Sequence, residues 1–448
     1  MSARSWVAVA TLAALTAAAQ GARANGRIPA ANQIVVSPDF PETVLLRTTF
    51  GLLVSRDAGK KWDWICESGM QYGGAQDPSF GLTKNGTLLA STFEGLTVSR
   101  DGFCTFAREG GELARRVFSD LTVRPNDRRQ VLALASDYAS TSDAGAFAFA
   151  SQVFRSGDDG STFTALGPAL DTSLLFETVE VAESDPQRLY LSATRTSAGV
   201  VSGVLLVSRN GGASYVERAV PLLAPQERAP FVSAVDPKNP DRLYVRTAGQ
   251  PDAASRLLVS DDAGDTFREV FRTSGPMLGL ALTADGATIY AGSTKDGVYA
   301  ASTQTFAFEK RAAVQVQCLT ATEGALWACS NEASGFVAGR STDGGRTFTP
   351  MLRLSGIRGP LACPVGTTTQ TCESEWPRLR QELGIDTTVD AGTPAKDAGS
   401  TTQEGPRAGG SSCSSAADAG PGLAVTLGVC VAALGARARK RRRDRSAQ

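Results

Sequence analysis

The chain has 448 residues, with 45 basic and 45 acidic side chains and no histidine. The lack of histidine excludes Ser-His-Asp and Cys-His catalysis and every metal site built on imidazole, and we expect neither a cofactor nor a bound metal. Basic residues concentrate in 437–448, which leaves 25–436 mildly acidic, so no nucleic-acid-binding face is expected.

The first 24 residues have the pattern of a secretory signal peptide. Arg4 precedes an apolar run over 6–19, and the small residues of the sequence ARA at 22–24 suit signal peptidase. We expect cleavage before Asn25 and export of the chain. A short buried helix is the alternative.

A motif of the form S-x-D-x-G-x-x-(W/F) recurs along the chain in seven copies. Four copies are complete, one has asparagine for aspartate, one has Phe103 in place of the glycine, and one is assigned by its context. The copies comprise Ser55, Asp57, Gly59 and Trp62; Ser99, Asp101 and Phe106; Ser156, Asp158, Gly160 and Phe163; Ser208, Asn210, Gly212 and Tyr215; Ser260, Asp262, Gly264 and Phe267; Ser302, Thr305 and Phe306; Ser341, Asp343, Gly345 and Phe348.

Apolar runs typical of β-strands surround each copy of the motif. Glycine, asparagine, aspartate and proline separate the runs, so that each unit of about 40–57 residues supplies four strands joined by hairpins. The sequence therefore predicts an all-β fold, a single seven-bladed β-propeller over 25–385. Because an inner strand is expected at 33–37, the first blade should be complete and the ring should close without strand exchange.

The repeated motif resembles the Asp-box, or BNR repeat, of sialidases, sortilin-type receptors and related propellers. The aspartate and serine side chains accept hydrogen bonds from nearby backbone N–H groups, glycine supplies a positive φ, and the aromatic residue packs back into the core. The resemblance implies turns at the blade periphery, away from the ligand-binding channel mouth. The sialidase arginine motif is matched by Arg-Ile-Pro at 27–29, but Gly26 stands in the aromatic position.

Carboxylates outside the motif are the candidates for catalysis. Inverting glycosidases need two carboxylates about 6.5–9.5 Å apart, and propellers of the kind this chain resembles include endoglucanase-like enzymes. The candidates near the expected inner strands are Asp77, Asp120, Glu177 and Glu180. Turn capping and solvated loop charges are the alternative roles for all four.

The expected exported domain contains six cysteines, an even number that suits disulfides in an oxidising compartment. Fifteen pairings are possible. No CxxC pair accompanies them, so a metal set is not favoured. Proximity along the chain suggests the pairs Cys363–Cys372, Cys318–Cys329 and Cys66–Cys104.

The segment CESEWPRLRQELGI at 372–385 has a helical pattern, with Pro377 in its first turn. With the expected loop between Cys363 and Cys372, over about 360–385, it should pack against the last blade and end the domain. A partner-binding helix is the alternative.

The region 386–420 is rich in small and polar residues and is expected to be a disordered linker. A short apolar transmembrane segment at 421–436 and a basic cytoplasmic tail at 437–448 follow, in the order that the positive-inside rule favours. The last 35 or so residues, with Cys413 in GGSSCSS, resemble the MYXO-CTERM sorting signal. This resemblance implies that a membrane protease removes the span and that Cys413 is the processing or lipid-attachment position; a plain tail anchor is the alternative.

The sequence thus favours an exported cell-surface propeller that acts as a non-catalytic binding module for a glycan or a protein. A surface glycoside hydrolase with paired carboxylates is the alternative, and a purely structural surface component is a third possibility. An enzyme should bring carboxylates with a raised pKa together at the channel mouth, whereas a binding module should show an aromatic or apolar patch there.

Overall fold

The computed structural model describes residues 29–141 and 147–385. The expected signal peptide, the linker with Cys413, the apolar segment and the basic tail lie outside the described residues, as do Arg27 and Ile28. Within the described ranges, no helix has the length and apolarity needed to cross a membrane.

Seven sheets follow one another along the described chain, and each contains four consecutive antiparallel strands. Blades 1 to 4 comprise β1 Ala31–Ser37, β2 Phe40–Thr48, β3 Gly51–Ser55 and β4 Trp62–Ile65; β5 Phe80–Leu82, β6 Leu88–Thr92, β7 Gly95–Ser99 and β8 Ala107–Arg108; β9 Phe118–Val123, β10 Val131–Thr141, β11 Phe147–Ser156 and β12 Thr164–Leu166; β13 Leu174–Val181, β14 Leu189–Ser197, β15 Val200–Ser208 and β16 Val216–Val220. Blades 5 to 7 comprise β17 Glu227–Val235, β18 Leu243–Gly249, β19 Arg256–Ser260 and β20 Arg268–Arg272; β21 Met277–Leu282, β22 Thr288–Ser293, β23 Gly297–Ser302 and β24 Glu309–Ala312; β25 Cys318–Thr322, β26 Ala325–Cys329, β27 Ala338–Ser341 and β28 Thr349–Leu352.

The predicted seven-bladed β-propeller is confirmed. The first strands of neighbouring blades contact one another around the ring and line its centre, and β1 contacts β25 where the ring closes. Blade 1 begins with its own inner strand and blade 7 supplies all four of its strands. The ring therefore closes without strand exchange, as the sequence predicts.

The hydrophobic core lies between adjacent blades. One cluster joins Leu89 and Val98 of blade 2 to Phe118, Leu121 and Phe154 of blade 3. Strands such as β3, β7 and β19 are buried along their whole length. Their apolar runs do not alternate with polar residues because both faces of the sheet pack against neighbouring blades.

The repeated motifs form the turns between the third and fourth strands of the blades. In the blade 5 turn, Gly264 N donates to Ser260 Oγ over 2.7 Å, Ser260 Oγ donates to Asp262 Oδ1 over 2.8 Å, and Thr266 N donates to the same carboxylate oxygen over 2.9 Å. Gly264 has a φ of +89°, in the left-handed region that favours glycine. Phe267 packs against the cluster between blades 4 and 5. The turn is thus held locally by its carboxylate and hydroxyl and anchored to the core by its aromatic ring.

The meander gives the propeller two distinct faces. We call the face that carries the repeated turns and the loops between first and second strands the box face. The opposite face carries the loops between second and third strands, such as 198–199, and the loops between blades, such as 221–226. We call it the hairpin face.

After blade 7, the chain returns to blades 1 and 2. Strand β29, Ile357–Pro360, pairs in parallel with β4 as a fifth strand of blade 1. Helix α1, Cys372–Glu382, follows, and its Trp376 ring lies 5.8 Å from that of Trp64. The expectation that this segment packs against the last blade is therefore wrong. The unit that contains the propeller ends at Leu379.

The disulfides differ from the pairing that proximity suggests. Cys318–Cys329 forms as expected, but the other two bonds are Cys66–Cys372 and Cys104–Cys363. The expected pairs Cys363–Cys372 and Cys66–Cys104 are wrong because β29 lies on the outer edge of blade 1, which places the C-terminal cysteines beside blades 1 and 2.

The incomplete motif of blade 2 lies under this C-terminal segment. Phe103, where the other copies have glycine, has a φ of +74° and is buried. Its carbonyl accepts a hydrogen bond from Thr369 Oγ1 over 2.9 Å, and the Cys104 carbonyl accepts one from Thr369 N over 3.0 Å. These contacts support a backbone conformation that a phenylalanine rarely adopts.

Candidate functional site

The inner strands of blades 3 and 4 bring three of the four predicted carboxylates together. Asp120 lies in β9, while Glu177 and Glu180 lie in the neighbouring inner strand β13. Asp77 precedes β5 in an irregular loop and its side chain is exposed. The structure therefore groups Asp120, Glu177 and Glu180, and we call these three the channel carboxylates.

Asp120 links three consecutive blades. Its Oδ1 accepts a hydrogen bond from Ser79 Oγ of blade 2 over 2.8 Å, and its Oδ2 accepts one from Val179 N of blade 4 over 3.0 Å. Burial nevertheless raises the pKa of Asp120 to about 6, because the surrounding strands exclude solvent from a side chain that keeps only part of its surface accessible. Both carboxylate oxygens thus have a role in holding the inner ring.

The two glutamates have fewer partners than Asp120. A register shift in β13 between Phe176 and Thr178 places Glu177 at a β-bulge. Burial raises the pKa of Glu177 to about 7, opposed by Arg246. Burial and the charge of Asp120 raise the pKa of Glu180 to about 8, although Thr122 Oγ1 donates to its Oε2 over 3.3 Å.

Arg246, in the second strand of blade 5, is a cation that interacts with Glu177. It lies in β18, with its guanidinium carbon 4.3 Å from the centre of the Phe231 ring. Burial lowers its pKa to about 10, so it stays protonated at neutral pH. Asp120 interacts with both glutamates and Arg246 interacts with Glu177, so the channel carboxylates and this guanidinium form one group of interacting charges.

The described residues contain no cluster of metal ligands, and three of their tyrosines are buried. No group of three or more histidine, cysteine, aspartate or glutamate side chains there is placed to hold a metal ion. Tyr190 and Tyr244 are fully buried packing residues, and Tyr72 is buried within its irregular loop.

Neutralising Glu180 should make stability less dependent on pH. The raised pKa means that the Glu180 carboxyl binds its proton more tightly in the folded chain than in the unfolded chain. The stability that the protonated carboxyl provides is therefore fully present below about pH 4.5 and is lost as the pH rises to about 8. We expect Glu180→Gln to be more stable than the parent by on the order of 1–3 kcal/mol above that pH, and nearly equal to it at about pH 5. Chemical denaturation at both pH values measures this.

The control for that experiment is Glu309→Gln, which alters a glutamate whose side chain is 71% exposed. A parent protein whose stability does not fall between about pH 5 and 8, or a Glu309 variant with the same effect, contradicts the prediction.

The hairpin face carries exposed apolar side chains on blades 3 and 4 and on the loop before blade 5. Blades 3 and 4 have the longest central hairpins of the described blades, 11 and 10 residues in β10 and β11 and 9 in each of β14 and β15. Tyr138 and Phe147 in blade 3 are 39% and 42% exposed, Val200 in blade 4 is 61% exposed, and Leu223, in the loop before blade 5, is 46% exposed. We call these four residues the apolar hairpin patch.

The aromatic residues of this patch are held in place by each other and by the hairpin. The rings of Tyr138 and Phe147 lie 6.3 Å apart, edge to face, and the Tyr138 hydroxyl hydrogen-bonds with Thr141 Oγ1. Asp137, the residue before Tyr138, forms an ion pair with Arg116. Its Oδ1 also accepts a hydrogen bond from Val117 N over 2.6 Å. The aromatic pair therefore stands on a hairpin that is fixed to the strand beside it.

A buried ion pair supports the loop that carries Leu223. Glu227 Oε2 accepts from Leu223 N over 2.8 Å, while its Oε1 accepts from Thr247 Oγ1 over 2.7 Å and from Arg256 Nε over 2.6 Å. Burial opposes ionisation, but these donors outweigh it and hold the pKa of Glu227 below its ordinary value.

Sequence reasoning did not find the apolar hairpin patch. The alternation FAFA at 147–150 and the long interval between the apolar runs of blade 3 are signals of an extended hairpin. The exposure of its rings depends on how far the hairpin extends beyond the neighbouring blades, which local pattern does not reveal.

Comparison with known proteins identifies the fold alone. No protein-family model matches the chain, and no curated protein matches it in sequence. Among solved structures, an ancestral GH74 enzyme superposes with a TM-score of 0.52 at 14% identity, over 72% of this chain and 46% of that enzyme. The likeness is that of a propeller.

Other solved structures superpose less closely. The GH74 xyloglucanase from Xanthomonas campestris gives a TM-score of 0.35 at 15% identity over 74% of this chain and 65% of that enzyme. The propeller domain of Cps50 (Swd1) from Myceliophteria thermophila gives 0.44 at 10% identity over 69% and 95%. The chain spans less than half of the ancestral GH74 enzyme.

Proposed function

We propose that this chain is an exported surface protein whose propeller binds a glycan or a protein without catalysis, through the apolar hairpin patch. The observation that carries the proposal is the exposed pair Tyr138 and Phe147, whose rings pack edge to face on the extended hairpin of blade 3. Exposed apolar side chains gathered on one face of a soluble domain mark interaction sites.

The chemistry of the patch favours a glycan as the first ligand to test. Aromatic rings offer an apolar face to the C–H groups of a sugar ring, and the Tyr138 hydroxyl supplies a polar edge. The hydroxyls of Ser140 and Thr141 on the same hairpin are also exposed. A protein ligand would use the same rings as anchors. If no glycan binds, a protein is the ligand to test next.

The test is a glycan-array screen with the purified full chain and the variant Phe147→Ser. We expect the variant to lose at least about ten-fold in affinity for the glycans that the parent binds, because an exposed anchor contributes on the order of 1–2 kcal/mol. The matched control is Val216→Ser, which changes an exposed apolar side chain on the box face. Equal losses in both variants, or none in Phe147→Ser, contradict the proposal.

The channel carboxylates support a second candidate, a surface glycoside hydrolase. Asp120, Glu177 and Glu180 lie on neighbouring inner strands, and their pKa values are raised to about 6, 7 and 8. A carboxyl that keeps its proton near neutral pH is what the acid of such an enzyme needs. The solved GH74 enzyme shares the propeller fold with this chain.

Incubation of every bound glycan separates the two candidates. Intact glycans support the binding module. If the glycans are cleaved, and the variant Glu177→Gln binds them without cleaving them, the hydrolase replaces the binding module as the function.

Export and anchoring are part of the same proposal. Three disulfides suit an oxidising compartment, and the ends of the sequence resemble a signal peptide and a MYXO-CTERM signal that a membrane protease processes at the cell surface. We infer further that the repeated turns are Asp-boxes. Mass spectrometry of the surface protein tests the tail: recovery of the intact peptide 421–436 contradicts processing and leaves a plain membrane anchor.

A further inference from the structure

A cavity of about 450 Å³ lies between blades 3 and 4 on the box face. Its walls come from the turns of both blades, including the repeated turns, so it lies on the side of the ring opposite the apolar hairpin patch. The apolar side chains of Leu132, Leu166, Val181 and Leu189 form part of its lining. This volume accommodates a small organic molecule of one or two sugar rings.

Two arginines line the cavity, and neither has a carboxylate bonded to it. Arg124 donates from Nη2 to the Glu183 carbonyl over 3.2 Å, while its Nε is buried with no hydrogen-bond partner among the described residues. Arg155 is exposed, and no side-chain hydrogen bond or ion pair engages it within the described chain. The Glu183 carboxyl interacts with Arg124 but does not line the cavity.

The next blade boundary shows what this arrangement lacks. Between blades 4 and 5 on the same face, Arg188 pairs with Asp241, and Arg218 pairs with Asp265. Between blades 3 and 4 the cations are present, but no acidic residue lines the space between them. Arg155, whose guanidinium is exposed beside the cavity, is suited to a carboxylate from elsewhere, which a guanidinium binds with two parallel hydrogen bonds, while Arg124 adds a second positive charge.

Polar uncharged groups complete the lining. Gln187 makes no side-chain hydrogen bond in the described chain, and the Gln130 amide donates to Asp127 Oδ2 over 2.9 Å, which leaves its oxygen available as an acceptor. Amides of this kind suit the hydroxyls of a sugar, while the apolar lining suits its C–H faces.

We propose that the cavity between blades 3 and 4 binds an acidic sugar, with the carboxylate of the sugar held by Arg124 and Arg155. This site is separate from the apolar hairpin patch and does not depend on it. Arg155 is exposed and Arg124 is half-buried, so Arg155 supplies the hydrogen bonds to the ligand and Arg124 supplies additional positive charge.

Titration calorimetry of the full chain with a disaccharide that contains one glucuronate tests the proposal. A neutral glucose disaccharide of the same size is the ligand control. We expect the acidic sugar to bind and the neutral one to bind at least about ten-fold more weakly, because it lacks the charge-assisted hydrogen bonds. We expect Arg155→Met to weaken binding of the acidic sugar by a similar factor.

The matched protein control is Arg340→Met. Arg340 precedes the motif serine of blade 7 just as Arg155 precedes that of blade 3, but its guanidinium lies over the Trp327 ring, 5.9 Å from the ring centre. The proposal is overturned if the two arginine variants bind alike, if the neutral sugar binds as tightly as the acidic one, or if the parent shows no binding. Phe147→Ser should leave this affinity unchanged, which separates the outcome from that of the hairpin patch.

Discussion

Replacing Arg256 with methionine should lower the free energy of unfolding by about 3–5 kcal/mol. The Arg256 and Glu227 side chains are only 7% and 4% exposed, so the substitution leaves an ionised carboxylate buried without its counter-ion. Thr247 and the Leu223 backbone still donate to that carboxylate, but neither brings a positive charge. Denaturant unfolding at neutral pH measures the loss.

The matched control is Arg272→Met. Arg272 and Glu269 form an exposed pair within β20, the strand next to that of Arg256, and loss of such a pair costs on the order of 0–1 kcal/mol. In the double variant Glu227→Leu/Arg256→Met, part of the stability should return because no buried charge remains. An Arg256 variant no less stable than the Arg272 variant contradicts this account of the pair.

The same variant should also weaken the apolar hairpin patch. The pair fixes Leu223 through its backbone N–H, and Arg256 Nη2 donates to the Pro221 carbonyl over 2.5 Å at the start of the same loop. Loss of both contacts frees the loop that carries Leu223. Ligand affinity should therefore fall in Arg256→Met and stay unchanged in Arg272→Met.

Local sequence predicted the blades because each repeated turn is held by its own residues. Ser156, Asp158 and Gly160 hydrogen-bond with one another over four positions, and side-chain and backbone hydrogen bonds from Thr162 lower the pKa of Asp158 to about 2. Such a turn needs no distant partner. The inner-strand positions of Asp120, Glu177 and Glu180 followed from the same strand count.

Long-range features could not be predicted in this way. The buried pair of Glu227 and Arg256 joins residues on different strands, and nothing in the sequence near either residue names its partner. Asp77 is a carboxylate like the other candidates, but it lies in an irregular loop before β5 and not on an inner strand. The exposure of the apolar hairpin patch depends on how far the hairpin of one blade extends beyond those of its neighbours.

The disulfides show the same limit. Proximity along the chain selects the correct bond only for Cys318–Cys329, whose cysteines face each other on adjacent strands β25 and β26. The other two bonds join residues 306 and 259 positions apart, because the end of a closed ring meets its beginning. These bonds join the C-terminal segment to blades 1 and 2.

Removing the bond between Cys66 and Cys372 should therefore destabilise the propeller more than removing the bond between Cys318 and Cys329. In the chain-entropy account, a cross-link stabilises by restricting the unfolded chain, and the effect grows with the length of the closed loop. We expect the double variant Cys66→Ala/Cys372→Ala to lose about 3–5 kcal/mol, even though Cys104–Cys363 still closes a long loop beside it.

The double variant Cys318→Ala/Cys329→Ala is the matched control, since it removes the same atoms from a bond that spans 11 positions. Denaturant unfolding of both variants and of the parent gives the comparison, and limited proteolysis locates the effect. Cleavage should increase within 361–371. In this variant the segment is attached by one disulfide, Cys104–Cys363, by the packing of Trp376 on Trp64 and by the pairing of β29 with β4. A larger stability loss in the control, or unchanged cleavage of 361–371, would mean that non-covalent contacts hold the segment.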